Sequence, residues 1–170
     1  MLKLLGALLV MGGALWWGLS AVGQLRRRAR VLEDLRTSLV WLGEELTFRL
    51  TPLQRLLERL AQEKPDPVGR FFRDALEGLR RDPEAGLYPS WRRAMVRRLD
   101  GLKEEERQAL LEAGQTLGRY DAKTQSQALA RSARRLDAAR SQAEEEVRRL
   151  GRVYTALSVA AGAAAVLVLA

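Results

Sequence analysis

Apolar residues recur along the middle of the chain at three- and four-residue spacing, the period of a helix with one buried face. Leu32, Leu35, Leu39, Leu42 and Leu46 form the first stripe, and nothing interrupts it before Thr51-Pro52. There Thr51 suits an N-cap, Pro52 the first helical position and Gln54 the return contact of a capping box. A second helix with Leu53, Leu56, Leu57 and Leu60 inward is therefore expected. Asp66-Pro67 repeats the signal and opens a helix burying Val68, Phe71, Phe72, Ala75, Leu76 and Leu79. Asp82-Pro83 and Gly86 make a loop, after which Ser90 is expected to cap a short helix through Trp91, Met95 and Leu99. Asp100-Gly101 turns the chain into a helix from about Lys103 to Leu117, packed through Leu110, Leu111 and Leu117. Gly118-Arg119-Tyr120-Asp121 is the last turn. From Ala122 to Leu150 there is neither Gly nor Pro, and Leu129, Ala133, Leu136, Ala143, Val147 and Leu150 continue one stripe. No strand-like alternation occurs, so the fold class is all-α: an antiparallel bundle of about six helices.

Two longer runs differ from these stripes. Leu4 to Leu25 and Val153 to Ala170 carry no charge, over 22 and 18 residues, whereas all 21 acids lie between Glu33 and Glu146. A bilayer core needs about 20 helical residues. The chain therefore divides into a span within 1–25, a bundle domain over 26–150 and a second span over 153–170, with the first and last bundle helices continuing into the spans. Ala21-Val22-Gly23 could mark a signal-peptide cleavage site. The cluster Arg26, Arg27, Arg28 and Arg30 directly after it reads instead as the flank of an uncleaved anchor. Arg148, Arg149 and Arg152 precede the second run and no basic residue follows it. Both flanks put the middle domain in the cytoplasm and both termini on the far side. These seven arginines are also candidates for contact with anionic lipid headgroups, although the orientation rule alone accounts for them.

Composition removes whole classes of chemistry. The 170 residues include no Cys and no His, which excludes disulfides, Cys/His zinc sites, thiol nucleophiles and imidazole acid–base catalysis. No phosphate-binding glycine loop is present, and no cofactor, metal or small-molecule substrate is indicated. Glu44 and Glu45 are adjacent and point about 100° apart on a helix, so they form no facing acid–base pair; Arg49 is a partner in reach. A pI near 10.7 and a net charge of +8 raise nucleic acid as a partner. The arginines alternate with acids along most helices and no nucleic-acid motif occurs, which argues against it.

The remaining candidates are contacts between proteins. Arg92, Arg93, Arg97 and Arg98 cluster on one short helix, and Glu104, Glu105 and Glu106 follow it. The acidic run also suits the positive end of a helix dipole. Trp16 and Trp17 in the first span, Trp41 beside the first stripe and Trp91 read as packing residues. Ala14/Gly18 and Ser158/Gly162 are small-residue pairs that let spans approach closely.

Three stretches carry a family resemblance. Glu44-Glu45-Leu46-Thr47 with Thr51-Pro52-Leu53, then Leu117-Gly118-Arg119-Tyr120-Asp121 with Gln125, and the opening Met1-Leu2-Lys3-Leu4-Leu5-Gly6 resemble the stage III sporulation protein AB family. The likeness covers essentially all 170 residues; the Ala-rich terminal run departs from it. More distantly, the middle resembles the cytoplasmic helical domain of type II secretion and type IV pilus platform proteins. The resemblance implies a non-catalytic component, in the mother-cell membrane around the forespore, of the channel linking the two cells in endospore formation. It further implies a secretion-type ATPase, stage III sporulation protein AA, as the cytosolic partner, and other channel subunits as membrane neighbours. An inner-membrane platform of a type II secretion or type IV pilus-like assembly is the alternative function.

Overall fold

Each periodic stripe becomes a helix in the computed structural model, which describes the backbone of residues 2–49 and 51–169 and the side chains of 22–49 and 51–153. In chain order these are α1 (Leu2–Phe48), α2 (Leu53–Glu63), α3 (Val68–Arg81), α4 (Leu87–Arg98), α5 (Glu104–Thr116) and α6 (Ala122–Leu169). No strand occurs among the described residues. The chain separates into two units: Arg30–Arg140 on one side, and Met1–Ala29 with Ser141–Ala170 on the other. Helix α6 is continuous through Gly151. Apart from 22–25 and Val153, both expected spans lie outside the residues whose side chains are described, as do Trp16, Trp17 and the pairs Ala14/Gly18 and Ser158/Gly162. Among the described residues no helix is long and apolar enough to cross a membrane.

In the 30–140 unit, neighbours along the chain pack side by side and antiparallel. Lys64, at the end of α2, donates from Nζ to Thr37 Oγ1 at 2.8 Å and stands 3.9 Å from Asp34 on α1. Arg80 meets Glu58 at 3.1 Å between α3 and α2, while Arg73 donates to the Ala61 carbonyl at 3.3 Å. Helices α4 and α5 are joined by Gln115 to Tyr88 at 3.1 Å, and α5 and α6 by Arg135 to Glu112 at 2.8 Å. The ring closes between α1 and α6, where Arg140 lies 3.3 Å from Glu33 and Arg36 lies 3.6 Å from Asp137. Inside this ring the stripes fuse into one core running from Leu32 to Leu136.

The centre of that core is Trp91, fully buried. Phe71 meets it edge-on at 4.7 Å and Phe72 at 5.8 Å, and its indole Nε1 donates to the Leu110 carbonyl at 2.8 Å. The edge-on geometry suits the ring quadrupoles, and the donor satisfies the one polar atom of the indole. On α5 the ring lies against Gly114, where a Cβ would stand 2.4 Å from Trp91 Cδ1. Glycine at 114 is a packing requirement.

Three helix starts differ from the capping expected of them. Thr51 does not cap α2: its hydroxyl donates to Glu45 Oε2 at 3.3 Å, and the Pro52 carbonyl takes the Arg55 and Leu56 amides instead. Glu45 is 9% exposed, and a carboxylate so enclosed needs donors more than a helix end does. Asp66 likewise pairs with Arg70 at 2.7 Å, while the Pro65 and Pro67 carbonyls accept from Gly69 and Phe71. Helix α4 begins three residues before Ser90, directly after Gly86 with its φ of +72°. Pro89 is tolerated within the first turn, where its missing N–H is no loss. Ser90 is thus buried, its Oγ 2.3 Å from where a Cβ on Gly78 would lie.

On α1 two adjacent acids, Glu33 at the α6 seam and Asp34 toward Lys64 of α2, are pushed in opposite directions. The Arg36 fork, at 2.9 and 2.7 Å, holds Glu33 below the usual carboxylate range, whereas burial pushes Asp34 up despite Lys64. A depressed carboxylate stabilises the fold above its unfolded pKa, and that contribution is lost as pH falls through the folded value. A raised one costs stability at neutral pH and is relieved as pH falls through its folded value.

Glu33→Gln should therefore lower the melting temperature at pH 7, with the deficit closing in acid below the depressed Glu33 pKa. Asp34→Asn should raise it at pH 7, with the gain closing in acid. A drop for Asp34→Asn at neutral pH would mean that its contact with Lys64 outweighs its burial. Gly114→Ala forces a methyl group into the indole, and overpacking of this kind typically costs about 1–3 kcal/mol. Urea unfolding should show the midpoint falling accordingly, and an unchanged midpoint would remove Gly114 from the core.

Candidate docking surface

Burial of Trp91, Ala94 and Met95 decides which way the rest of α4 faces. Arg92, Arg93, Val96 and Arg97 are consequently exposed. Arg93 reaches back to Ser90 Oγ at 3.4 Å. Arg98 is in a different position from its neighbours. Its guanidinium forks onto Asp74 of α3 at 2.7 and 3.3 Å, and that hydrogen bond raises its own pKa further. Between α3 and α4 lies a cleft of about 340 Å³, lined by Asp74, Glu77, Asp82, Arg81, Arg93 and Arg97 together with Gly78, Ser90 and Ala94. Three acids and three arginines leave it without a dominant sign.

The acidic run divides as well. Glu104 and Glu105 are exposed, Glu104 accepting from Gln108 at 2.8 Å. Glu106 is 2% exposed and turns back to accept from the Lys103 amide at 2.8 Å. Its own amide donates to the Lys103 carbonyl at 3.1 Å, which makes it part of the α5 N-terminus. Arg107 secures the preceding loop through the Leu102 and Asp100 carbonyls at 3.1 and 2.8 Å. Of the seven residues expected at a docking surface, Glu106 is corrected to an internal cap because burial leaves it no face to offer. Arg98 is occupied by Asp74, and Arg92, Arg93, Arg97, Glu104 and Glu105 remain on the surface.

The expected membrane-facing arginines fall in two places. Arg30 is exposed in the 30–140 unit. In the other unit Arg26, Arg27, Arg148, Arg149 and Arg152 are exposed and Arg28 is half-buried. The described residues hold no cluster of three acids that could bind a metal.

Sequence reasoning did not single out the junction of the two turns. Gly118 has a φ of +78°, and a Cβ there would lie 3.5 Å from Leu53 Cδ2, so the α5–α6 turn sits against the start of α2. Gln125 ties this turn together: its Oε1 accepts from the Gly118 amide at 3.2 Å and its Nε2 donates to the Tyr120 carbonyl. Asp121 caps α6 by accepting from the Thr124 amide at 3.0 Å and hydroxyl at 2.7 Å, contacts that lower its pKa. The side chains left over, Phe48 at 81% and Tyr120 at 57%, are exposed. Tyr120 belongs to a stretch that carries the family resemblance, which is the signal by which it could have been found; Phe48 falls in the gap between Thr47 and Thr51, which carries no such signal.

Comparison with known proteins extends over nearly the whole chain. Residues 3–170 match the family model described as stage III sporulation protein AB. A stage III sporulation protein AB of Bacillus subtilis (strain 168) is 26% identical over 171 residues, covering 99% of each chain. A solved structure of a stage III sporulation protein AB superposes with a TM-score of 0.65 at 25% identity, over 72% of this chain and 97% of that one. With a match over nearly its whole length, the chain belongs to the stage III sporulation protein AB family and has its role in sporulation.

Proposed function

We propose that the protein is a non-catalytic membrane adaptor of the channel between mother cell and forespore. Its charge-free ends, Leu4 to Leu25 and Val153 to Ala170, anchor it in the mother-cell membrane around the forespore. The arginines flanking them hold the helical unit on the cytoplasmic side. That unit docks a secretion-type ATPase, stage III sporulation protein AA, and so brings it to the other membrane subunits of the channel. The observation that carries the reading is the family match over residues 3–170, which spans both apolar ends and the bundle together.

The surface of the bundle supplies a way to dock. Arg92 and Arg97 have no ion pair among the described residues and project from a helix held rigidly by Trp91. Unpaired charge on a rigid element steers encounter with an oppositely charged partner, chiefly through the association rate and with strong salt dependence. Glu105 offers the opposite sign one loop away, which fixes orientation more than it adds affinity.

The full-length protein in lipid nanodiscs should bind the purified ATPase at low salt and more weakly at high salt. Arg92→Glu with Arg97→Glu should slow association by about tenfold or more, as expected for charges that steer encounter. Lack of binding, with the ATPase still reaching membranes in cells lacking this protein, would discard the adaptor role. Topology has a separate test, simplified by the absence of native Cys. Ser90 is buried and unsuitable, but Glu84 lies in the exposed α3–α4 loop. In intact cells an impermeant thiol reagent should label a cysteine appended after Ala170 and leave Glu84→Cys unlabelled. Labelling at 84 would reverse the orientation.

A further inference from the structure

The unit formed by Met1–Ala29 with Ser141–Ala170 is built from two helices only, α1 and α6. Ala143 is fully buried in it, and Ala29 and Val22 are nearly so. Two helices can bury a side chain only against each other, so these residues mark their seam. Helix α1 leaves the unit after Ala29 and α6 enters it at Ser141, and just outside it Arg140 lies 3.3 Å from Glu33. The two helices are therefore antiparallel, with Ala29 and Ala143 at one level. Seven residues further along each helix Val22 reaches the level of half-buried Leu150, to within about one turn.

Charge in this unit falls in two tiers. Beside the level of Ala29 and Ala143, Arg26, Arg27 and Arg28 on α1 stand across from Glu144, Glu145 and Glu146 on α6. Arg28, Glu144 and Glu146 all have partners. The next tier is unbalanced. There α6 carries Arg148, Arg149 and Arg152, exposed and without an ion pair among the described residues. Across from them, Val22 to Leu25 of α1 has no charge. At helical periodicity the three arginines fall within an arc of about 100°, on the side of α6 away from Ala143 and Leu150. Glu145 is the one acid on that face, and it stands a turn nearer Ser141. No acid occurs from Val147 to Ala170 or from Met1 to Leu32.

We propose that Arg148, Arg149 and Arg152 bind the headgroups of anionic lipid, whereas Arg26, Arg27 and Arg28 balance the acids of α6. The proposal rests on the anchoring of Val153 to Ala170 in a membrane, and it names the lipid class that this anchor selects. Position commits the site to lipid: the charge-free run begins at Val153, directly after Arg152. Where such a run enters hydrocarbon, the residues just before it lie among the headgroups. Guanidinium groups match phosphate oxygens two at a time, and basic residues at the surface are drawn to an anionic leaflet. A zwitterionic lipid offers a phosphate too, but its ammonium group would face the same three cations. The orientation rule explains why arginines flank the run; it does not divide those of α6 from those of α1.

The test places the full-length protein in symmetric phosphatidylcholine vesicles with a trace of spin-labelled phosphatidylglycerol or spin-labelled phosphatidylcholine. Both leaflets are then alike, so the orientation rule predicts no lipid preference. The label immobilised at the protein should favour phosphatidylglycerol by about fivefold or more at low salt, and by less at high salt. Arg148→Gln with Arg149→Gln and Arg152→Gln should remove most of that preference. Arg26→Gln with Arg27→Gln should keep most of it. The triple variant to Lys, which preserves the charge, should keep at least half; its loss there too would make the three side chains structural and overturn the proposal. An undiminished preference in the triple Gln variant, or an equal loss from the α1 and α6 variants, would also overturn it. If that undiminished preference came with lost ATPase binding, the arginines would belong to the ATPase contact. No preference in embedded wild-type protein would overturn the site and leave the anchor intact, whereas protein stripped from vesicles by carbonate would overturn both.

Discussion

The structure depends most on the seating of one indole. Trp91 lies at the junction of α3, α4 and α5, with two phenylalanine rings on one side, a glycine on the other and a carbonyl for its N–H. A bulky group in that position allows α4 little choice of rotation. With Trp91 and Met95 inward, the arginines at 92, 93 and 97 point outward. Arg98 falls on the boundary, where Asp74 of α3 is near enough to take it. The packing of one aromatic therefore sorts four neighbouring arginines: Arg92 and Arg97 are free, Arg93 reaches back to Ser90 and Arg98 is committed to Asp74.

Acids are sorted by a second constraint, the need of helix ends and turns for partners. Glu106 closes the N-terminus of α5, Asp121 opens α6, and Glu45 collects the Thr51 hydroxyl and Arg49 at the α1–α2 turn. Each acid is held locally and adds little to any binding surface. Glu33, Asp74 and Asp137 go instead into seams between helices. An exposed carboxylate such as Glu105 is what remains once those demands are met.

How much of this can be read from sequence depends on whether a residue acts within its own helix. The inward positions of α3, from Val68 to Leu79, were legible because period places them, except Gly69, which close approach to the Lys64 carbonyl buries. The break at Thr51-Pro52, the Gly118 turn and the start of α6 at Ala122 were legible for a similar reason: proline, glycine and Asp121 act on their immediate neighbours. The caps assigned to Thr51, Asp66 and Ser90 failed because each side chain met something better from elsewhere in the fold. Glu45 claimed Thr51, Arg70 claimed Asp66, and close approach to Gly78 buried Ser90. For the charged residues of α4 and the α5 start, charge shows in sequence, but the commitment of Arg98 to Asp74 and of Glu106 to the Lys103 amide depends on contacts that spacing does not carry.

A chain with 29 basic and 21 acidic residues must leave cations unpaired, and an acid taken by a helix cap leaves one more. Free arginine is thus a necessary result of this composition and identifies no partner by its presence. Exposed aromatic surface is not forced in the same way. Folding removes apolar area from water wherever packing permits, so a Phe left 81% exposed at the end of a helix runs against the main driving force. The bundle buries Phe71, Phe72 and Trp91 completely, so it has the means to enclose large rings. Where two aromatics remain outside on turns that are otherwise tied down by hydrogen bonds, stability does not account for them. For a basic helical protein of this kind, exposed rings are stronger evidence of a contact than free arginines are.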